Sequence, residues 1–135
     1  MALQYSTTVR NAKLDALETA VGTSPILKIR SGSAPANCAT ADSGTVLATM
    51  TLPSDWLAAA SSGSKAKSGT WQDSSADATG TAGHFRIYDS TGTTCHLQGT
   101  VTATGGGGDL TLDNTSIASG QSITINTFSI TAANA

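Results

Sequence analysis

The chain has 135 residues, of which 39% are hydrophobic, 12% charged and 4% aromatic, with a formal net charge of −2. That length suits one compact domain and is too short for two independent cores; Gly, Ala, Ser and Thr fill more than half of it, yet the apolar fraction is too high for disorder. Its seven basic residues, scattered between Arg10 and Arg86, exclude the clustered basic face that nucleic acid requires, and the longest apolar run, Trp56 to Ala60, is far short of the roughly 18 residues that span a bilayer.

The first residues, MALQYSTTVRNAKL, lack a basic region followed by an apolar one, so no secretory signal is expected and the protein should stay where it is synthesised until something carries it out. Residues 8–21 repeat apolar positions at Val9, Ala12, Ala16, Leu17, Ala20 and Val21, with Leu14 beside them, which predicts a helix of about three turns. Thr7 or Thr8 is placed to cap it, and Gly22 sits where a left-handed residue would end it. Asp15 and Glu18 are expected on its outer face. Residues 1–22 therefore read as an N-terminal arm and helix, lying over an end of the β domain or against another subunit, and residues 23–135 as a β-sandwich within the same single domain.

From Pro25 the period changes to two, and the abundance of β-branched Thr favours strands. Residues 26–30 predict a strand and residues 31–43 a loop rich in turn chemistry. Residues 45–52 then alternate, with Val46, Ala48, Met50 and Leu52 on one face. Ser54 to Ala60 reads as a capped single helical turn whose Trp56 plugs the core edge; residues 61–68 as a polar loop; residues 69–72 as a strand; and residues 73–82 as a second loop. Residues 84–89 place Phe85 and Ile87 on one side and His84, Arg86 and Tyr88 on the other, and residues 94–102 return with Cys95, Leu97 and Val101 inward, predicting a β-hairpin. Gly105 to Gly108 form an expected flexible loop before a short strand at 109–112.

The final predicted strand, residues 121–131, changes phase. Ile123 and Ile125 occupy odd positions and Phe128 and Ile130 even ones, so one straight strand would send the pairs to opposite faces. A β-bulge near Asn126 and Thr127, a strand buried on both sides, or a strand shared between two sheets would each resolve the conflict. Roughly seven or eight short strands in all predict an all-β fold, an antiparallel β-sandwich of jelly-roll type with one short N-terminal helix.

The residues offer little catalytic chemistry. His84 and His96 fall in paired strands with Asp89 and Cys95 nearby, but a zinc site needs three or four convergent ligands and none of the usual short spacings occurs, so the two histidines read as outward strand residues. Cys95 reads as a small buried hydrophobe and Cys38, 57 positions earlier in a loop, as exposed or tucked beneath it; both are expected to be reduced. Seventeen serines and two histidines carry no triad signature, and no GxSxG elbow is present. Asp42, Asp55, Asp73, Asp77, Asp89, Asp109 and Asp113 lie mainly in turns, where Asp caps backbone groups. The glycine run lacks the Lys-Ser/Thr ending of a phosphate loop. Trp56, Trp71 and Tyr88 could stack a sugar but read first as core. No catalytic, cofactor-binding or metal residue is assigned, and no enzymatic activity, cofactor or small-molecule substrate is expected.

The segments YSTTVRNAKLDALETAVG, GTVLATMTLPSDW, AGHFRIYD, CHLQGTV and LDNTSIASGQSITI resemble a family of small proteins encoded among the structural genes of tailed bacteriophages and prophages. The resemblance implies a virion component, a capsid decoration (cement) protein with a β-sandwich or jelly-roll fold, present in many copies on the head. It would be made in the bacterial cytoplasm, bind the major capsid protein and associate with itself as a dimer or trimer. The 1–21 segment and the loops 31–43 and 61–82 would be its clamps. The alternative is a tail or fibre module recognising host glycan through Trp71 and Tyr88. The resemblance transfers no functional residues.

Overall fold

The computed structural model describes residues 2–133. The chain enters through a helix, α1 (Thr7–Val21), and continues as β1 (Ile26–Ser31), β2 (Val46–Thr51), β3 (Ser64–Ala66), β4 (Trp71–Asp73), β5 (Gly80–Tyr88), β6 (Cys95–Ala103), β7 (Leu110–Leu112), β8 (Ser116–Ile117), β9 (Ile123–Ile125) and β10 (Ser129–Thr131). The protein is thus mostly β with one N-terminal helix. The principal sheet is mixed, in the order β2-β1-β5-β6-β7, with β8 paired to the start of β5; β10-β3 and β4-β9 form two small two-stranded sheets.

The alternation along β5 is realised as the sequence predicts. Phe85 and Ile87 point into the apolar core with Leu27 and Ile29 of β1 and Met50 of β2. A run of aromatic rings then joins the principal sheet to the small ones. Phe85 meets Phe128 edge-on at 5.8 Å, Phe128 lies 5.3 Å from Trp71, and Trp71 lies 6.1 Å from Trp56. These separations fall in the range where aromatic pairs attract beyond their buried area.

The phase change in the last strand resolves as a division between two sheets. Ile123 to Ile125 pair with β4, whereas Ser129 to Thr131 pair with β3, and the chain is not a strand between them. Ile123, Ile125 and Phe128 are all buried by this break, so no bulge is needed.

Four expectations need correction. Ser54 to Ala60 forms no helical turn; Trp56 is fully buried all the same, its indole donating to the Gly22 carbonyl at 3.0 Å, while Leu57 bridges to Lys67. Residues 61–82 are not two loops joined by one strand, because they contain β3, β4 and the start of β5. β7 pairs in parallel with β6, against the wholly antiparallel sandwich expected: Val101 to Ala103 run alongside Leu110 to Leu112. The glycine run makes this possible. It folds back across Thr102, and a Cβ at Gly106 or Gly108 would lie 2.8 Å from that side chain, closer than real contacts allow. The Gly108 amide donates to Thr102 Oγ1 at 3.0 Å, so the segment is a fastened reversal.

The helix also turns a different side inward. Its C-terminal end is where Gly22 predicts it, the Gly22 amide donating to the Glu18 carbonyl at 2.9 Å, but Ser6 caps the other end in place of Thr7 or Thr8, accepting from the Val9 amide at 3.2 Å. Leu14 and Val21 are buried and Leu17 is partly so, but Ala12, Ala16 and Ala20 are exposed and Val9 is 43% exposed. Alanine carries too little apolar surface to choose a face. Polar contacts choose it instead. Lys65 of β3, 4% exposed, meets Asp15 and Glu18 at 2.8 Å each, so the acids expected outside form the docking contact.

Candidate functional site

The second face of β5 carries His84, Arg86 and Tyr88, all at most 2% exposed. Expected as an outward face, it is covered by residues 32–45, which lie down on it instead of protruding as a clamp. The cover is held by hydrogen bonds from the sheet. Arg86 donates to the carbonyls of Asn37 at 2.9 Å and Thr40 at 3.0 Å, and to Gln98 Oε1 at 2.9 Å; Gln98 in turn donates to the Pro35 carbonyl at 2.6 Å. His84 Nδ1 lies 2.8 Å from the Gly32 carbonyl, which can only accept, so Nδ1 donates. The approach at this end is so close that a Cβ on Gly83 would stand 2.2 Å from the same carbonyl oxygen.

Asp42 is the centre of the arrangement. One carboxylate oxygen accepts from Arg86 and, at 2.7 Å, from the Tyr88 hydroxyl; the other accepts from Arg30 at 2.9 Å. Burial alone would raise its pKa, but the hydrogen bonds from Tyr88 and Arg86 and the charges of Arg30 and Arg86 outweigh burial and hold it below the ordinary carboxylate range. Tyr88 moves the other way, raised by burial and by its hydrogen bond to Asp42. Every nitrogen of the Arg86 guanidinium is engaged. A group saturated in this way is suited to holding a loop, not to exchanging partners with a substrate.

The predicted chemical residues do not converge. His84 lies opposite Thr100, not His96, and the register shifts between Ile87 and Tyr88, so that Leu97 faces Ile87 and Cys95 faces Tyr88. His96 is the extra residue of this bulge and is exposed. Asp89 caps the hairpin turn, accepting from the Thr91 hydroxyl at 2.8 Å and the Thr93 amide at 3.0 Å, which lowers its pKa. Asp73 and Asp109 likewise accept from the backbone amides of Thr49 and Thr100, each at 2.9 Å. Among the described residues no three His, Cys, Asp or Glu side chains are grouped to hold a metal. Among them, too, no helix is long and apolar enough to cross a membrane. Trp56 and Trp71 are fully buried and Tyr88 is 2% exposed, so none presents a face to a sugar.

Two features escaped the sequence reading. Cys38 and Cys95 are neighbours across the edge of the 32–45 cover, both half-buried and both free thiols. Nothing in their spacing signals it. The other feature is at the surface. Leu3, 71% exposed, and Val9, 43% exposed, are the large apolar side chains left in solvent among the described residues, and both lie on the N-terminal arm and first helical turn.

That segment is tied to the body. Arg10 donates to the Ala132 carbonyl at 2.7 Å, Asn11 accepts from the Gly63 amide at 2.9 Å, and the Lys13 ammonium stands 4.3 Å over the Tyr5 ring. Burial alone would depress the Lys65 pKa, but its bonds to Asp15 and Glu18 raise it above the ordinary lysine value. The helix is fastened at three polar points on the edge formed by β3 and β10.

Compared with protein-family models, with curated proteins and with solved structures, the chain matches none.

Proposed function

We propose that the protein is a capsid decoration protein of a tailed bacteriophage, binding the outer surface of the head and strengthening contacts between capsomers. One observation supports this reading beyond the sequence resemblance: Leu3 and Val9 are both exposed on the N-terminal segment, whose helix Arg10, Asn11 and Lys65 fasten to the β body. On this reading Leu3 and Val9 contribute to one apolar contact surface, since a contiguous exposed apolar patch is what a binding partner covers. A decoration protein needs such a contact on a scaffold with little charge to repel its neighbours, and 12% charged residues meet that need. The partner would be the major capsid protein, and repeated lattice sites would favour self-association as a dimer or trimer. On this reading the principal sheet and the paired small sheets are the two layers of a jelly-roll-like sandwich. Added interface area on the shell would raise the barrier to rupture.

The supporting experiment compares heads with and without the protein. Imaging or labelling should place hundreds of copies per particle on the head, and heads lacking it should rupture sooner on heating or osmotic shock. A few copies at the tail, or equal survival at full occupancy, would overturn the reading. The host-glycan alternative loses its proposed platform, because Trp71 and Tyr88 are enclosed.

A further inference from the structure

Cys38 and Cys95 are brought together by the machinery that holds the 32–45 segment down. Arg86 grips the carbonyls of Asn37 and Thr40, which bracket Cys38 on either side, while Tyr88, one pair further along β5, sits directly opposite Cys95. Both cysteines line one hollow of about 260 Å³, shared with Thr40, Asp42, Arg86 and Tyr88. The Cys95 thiol is close enough to Cys38 for the two to influence each other's ionisation, and it donates to the Leu97 carbonyl at 3.3 Å. Two cysteines held at one hollow by an independent hydrogen-bond frame have already met most of the entropic cost of closing the 57-position span between them.

We propose that Cys38 and Cys95 form a reversible intramolecular disulfide under oxidising conditions, fastening the 32–45 cover covalently to β6. The oxidant is a small-molecule disulfide such as oxidised glutathione. Cys38 reacts first. Burial and the neighbouring Cys38 push the Cys95 thiol up to about 12, so it stays protonated, and only a thiolate attacks. The Cys38 thiolate displaces one glutathione thiolate and leaves a mixed disulfide on Cys38. With Cys38 capped, its thiol no longer opposes ionisation of Cys95; the Cys95 proton passes to solvent, and the Cys95 thiolate attacks Cys38 Sγ and expels the second glutathione thiolate. Two protein thiols lose two electrons and two protons, and one glutathione disulfide becomes two glutathione molecules. The inference stands on the chain's own geometry and not on the virion reading.

The test uses the full chain equilibrated in graded ratios of oxidised to reduced glutathione, quenched in acid, unfolded and alkylated. The expected product is monomeric, lighter than the reduced chain by two hydrogens, unreactive to alkylation, and yields a peptide joining Cys38 to Cys95. Its Tm should exceed that of the reduced chain by about 10 °C, reversed by dithiothreitol, since a cross-link over a long span restricts the unfolded chain. Full alkylation of both cysteines in excess oxidant, a persistent glutathione adduct, a disulfide-linked dimer, or a bond that leaves Tm unchanged would each overturn the proposal. The order of attack has its own check: Cys95→Ser should be glutathionylated at Cys38 faster than Cys38→Ser is at Cys95. The reverse order would refute the assignment of Cys38 as first nucleophile.

Discussion

Arg86 and Asp42 meet across the boundary between the principal sheet and the segment that covers it, and through this pair a loop of the chain becomes part of the folded body. The Arg86 side chain is 2% exposed and that of Asp42 39%, so water reaches the anion but not the cation. Asp42→Ala would leave Arg86 and the nearly buried Arg30 without their carboxylate. Breaking a fully buried pair costs about 3–5 kcal/mol, and solvent at Asp42 reduces this to about 2–3 kcal/mol. Urea unfolding of the two proteins should show that difference as a lower midpoint with an unchanged slope.

The same pair sets the response to acid. The folded-state pKa of Asp42 is depressed, so its contribution is fully present above the unfolded value of about 3.9 and is lost as pH falls through the lower folded value. The 32–45 segment should therefore stay closed through the ordinary carboxylate range and open only below it. Hydrogen exchange of residues 37–42 between pH 2 and 6 measures this, and Asp42→Asn should remove the acid-dependent part while leaving exchange already raised at neutral pH.

Lys65 gives the opposite sign for the helix. Its folded pKa is raised, so its stabilisation is complete below the unfolded lysine value of about 10.4 and is lost as pH rises through the folded value. Lys65→Met keeps the stem and removes the charge from Asp15 and Glu18. A double-mutant cycle of Lys65→Met with Glu18→Gln should give a coupling of about 1 kcal/mol, against near zero for Lys28→Met with Glu18→Gln.

The aromatic run should be the costliest part of the core. Phe128→Ala removes the ring that touches both Phe85 and Trp71 and should cost about 3–5 kcal/mol, whereas Phe128→Leu should cost less than half as much. Thermal unfolding of both variants separates lost volume from lost ring geometry.

Glycines should divide by their surroundings. Gly105 has φ +87° with open space around its Cβ direction, so Gly105→Ala should cost only the left-handed backbone strain, about 1–2 kcal/mol. Gly83→Ala would drive a methyl group into the Gly32 backbone, which cannot move without lifting the 32–45 segment, and should cost more. Equal unfolding midpoints for the two variants would contradict the close packing of this segment on β5.

The sequence displayed what local periodicity controls. Alternation at His84 to Tyr88 foretold which residues share each face of β5, Gly22 the end of the helix, and the odd-even shift between Ile125 and Phe128 a conflict that one of its three expected solutions, a chain shared by two sheets, resolves. It hid what depends on distant partners. Alanines at 12, 16 and 20 fit either helix face, and Lys65, some fifty positions away, decides between them. The polar side of β5 looked solvent-facing because Asp42, its anion, lies 44 positions from Arg86. The parallel pairing of β6 and β7 rests on a close approach of glycines to Thr102 that no pattern of hydrophobicity encodes.

The binding of the Leu3/Val9 surface to phage heads is the most direct measurement of the functional account. Heads of the phage that the proposed function requires, prepared without this protein, are incubated with the wild-type chain or with Leu3→Ser/Val9→Ser and sedimented. The account predicts saturable binding of the wild type, at least tenfold weaker binding of the double variant, and the same urea midpoint for both. Wild-type-like binding by the variant would contradict the assigned surface, and failure of the wild-type chain to bind heads would contradict the function.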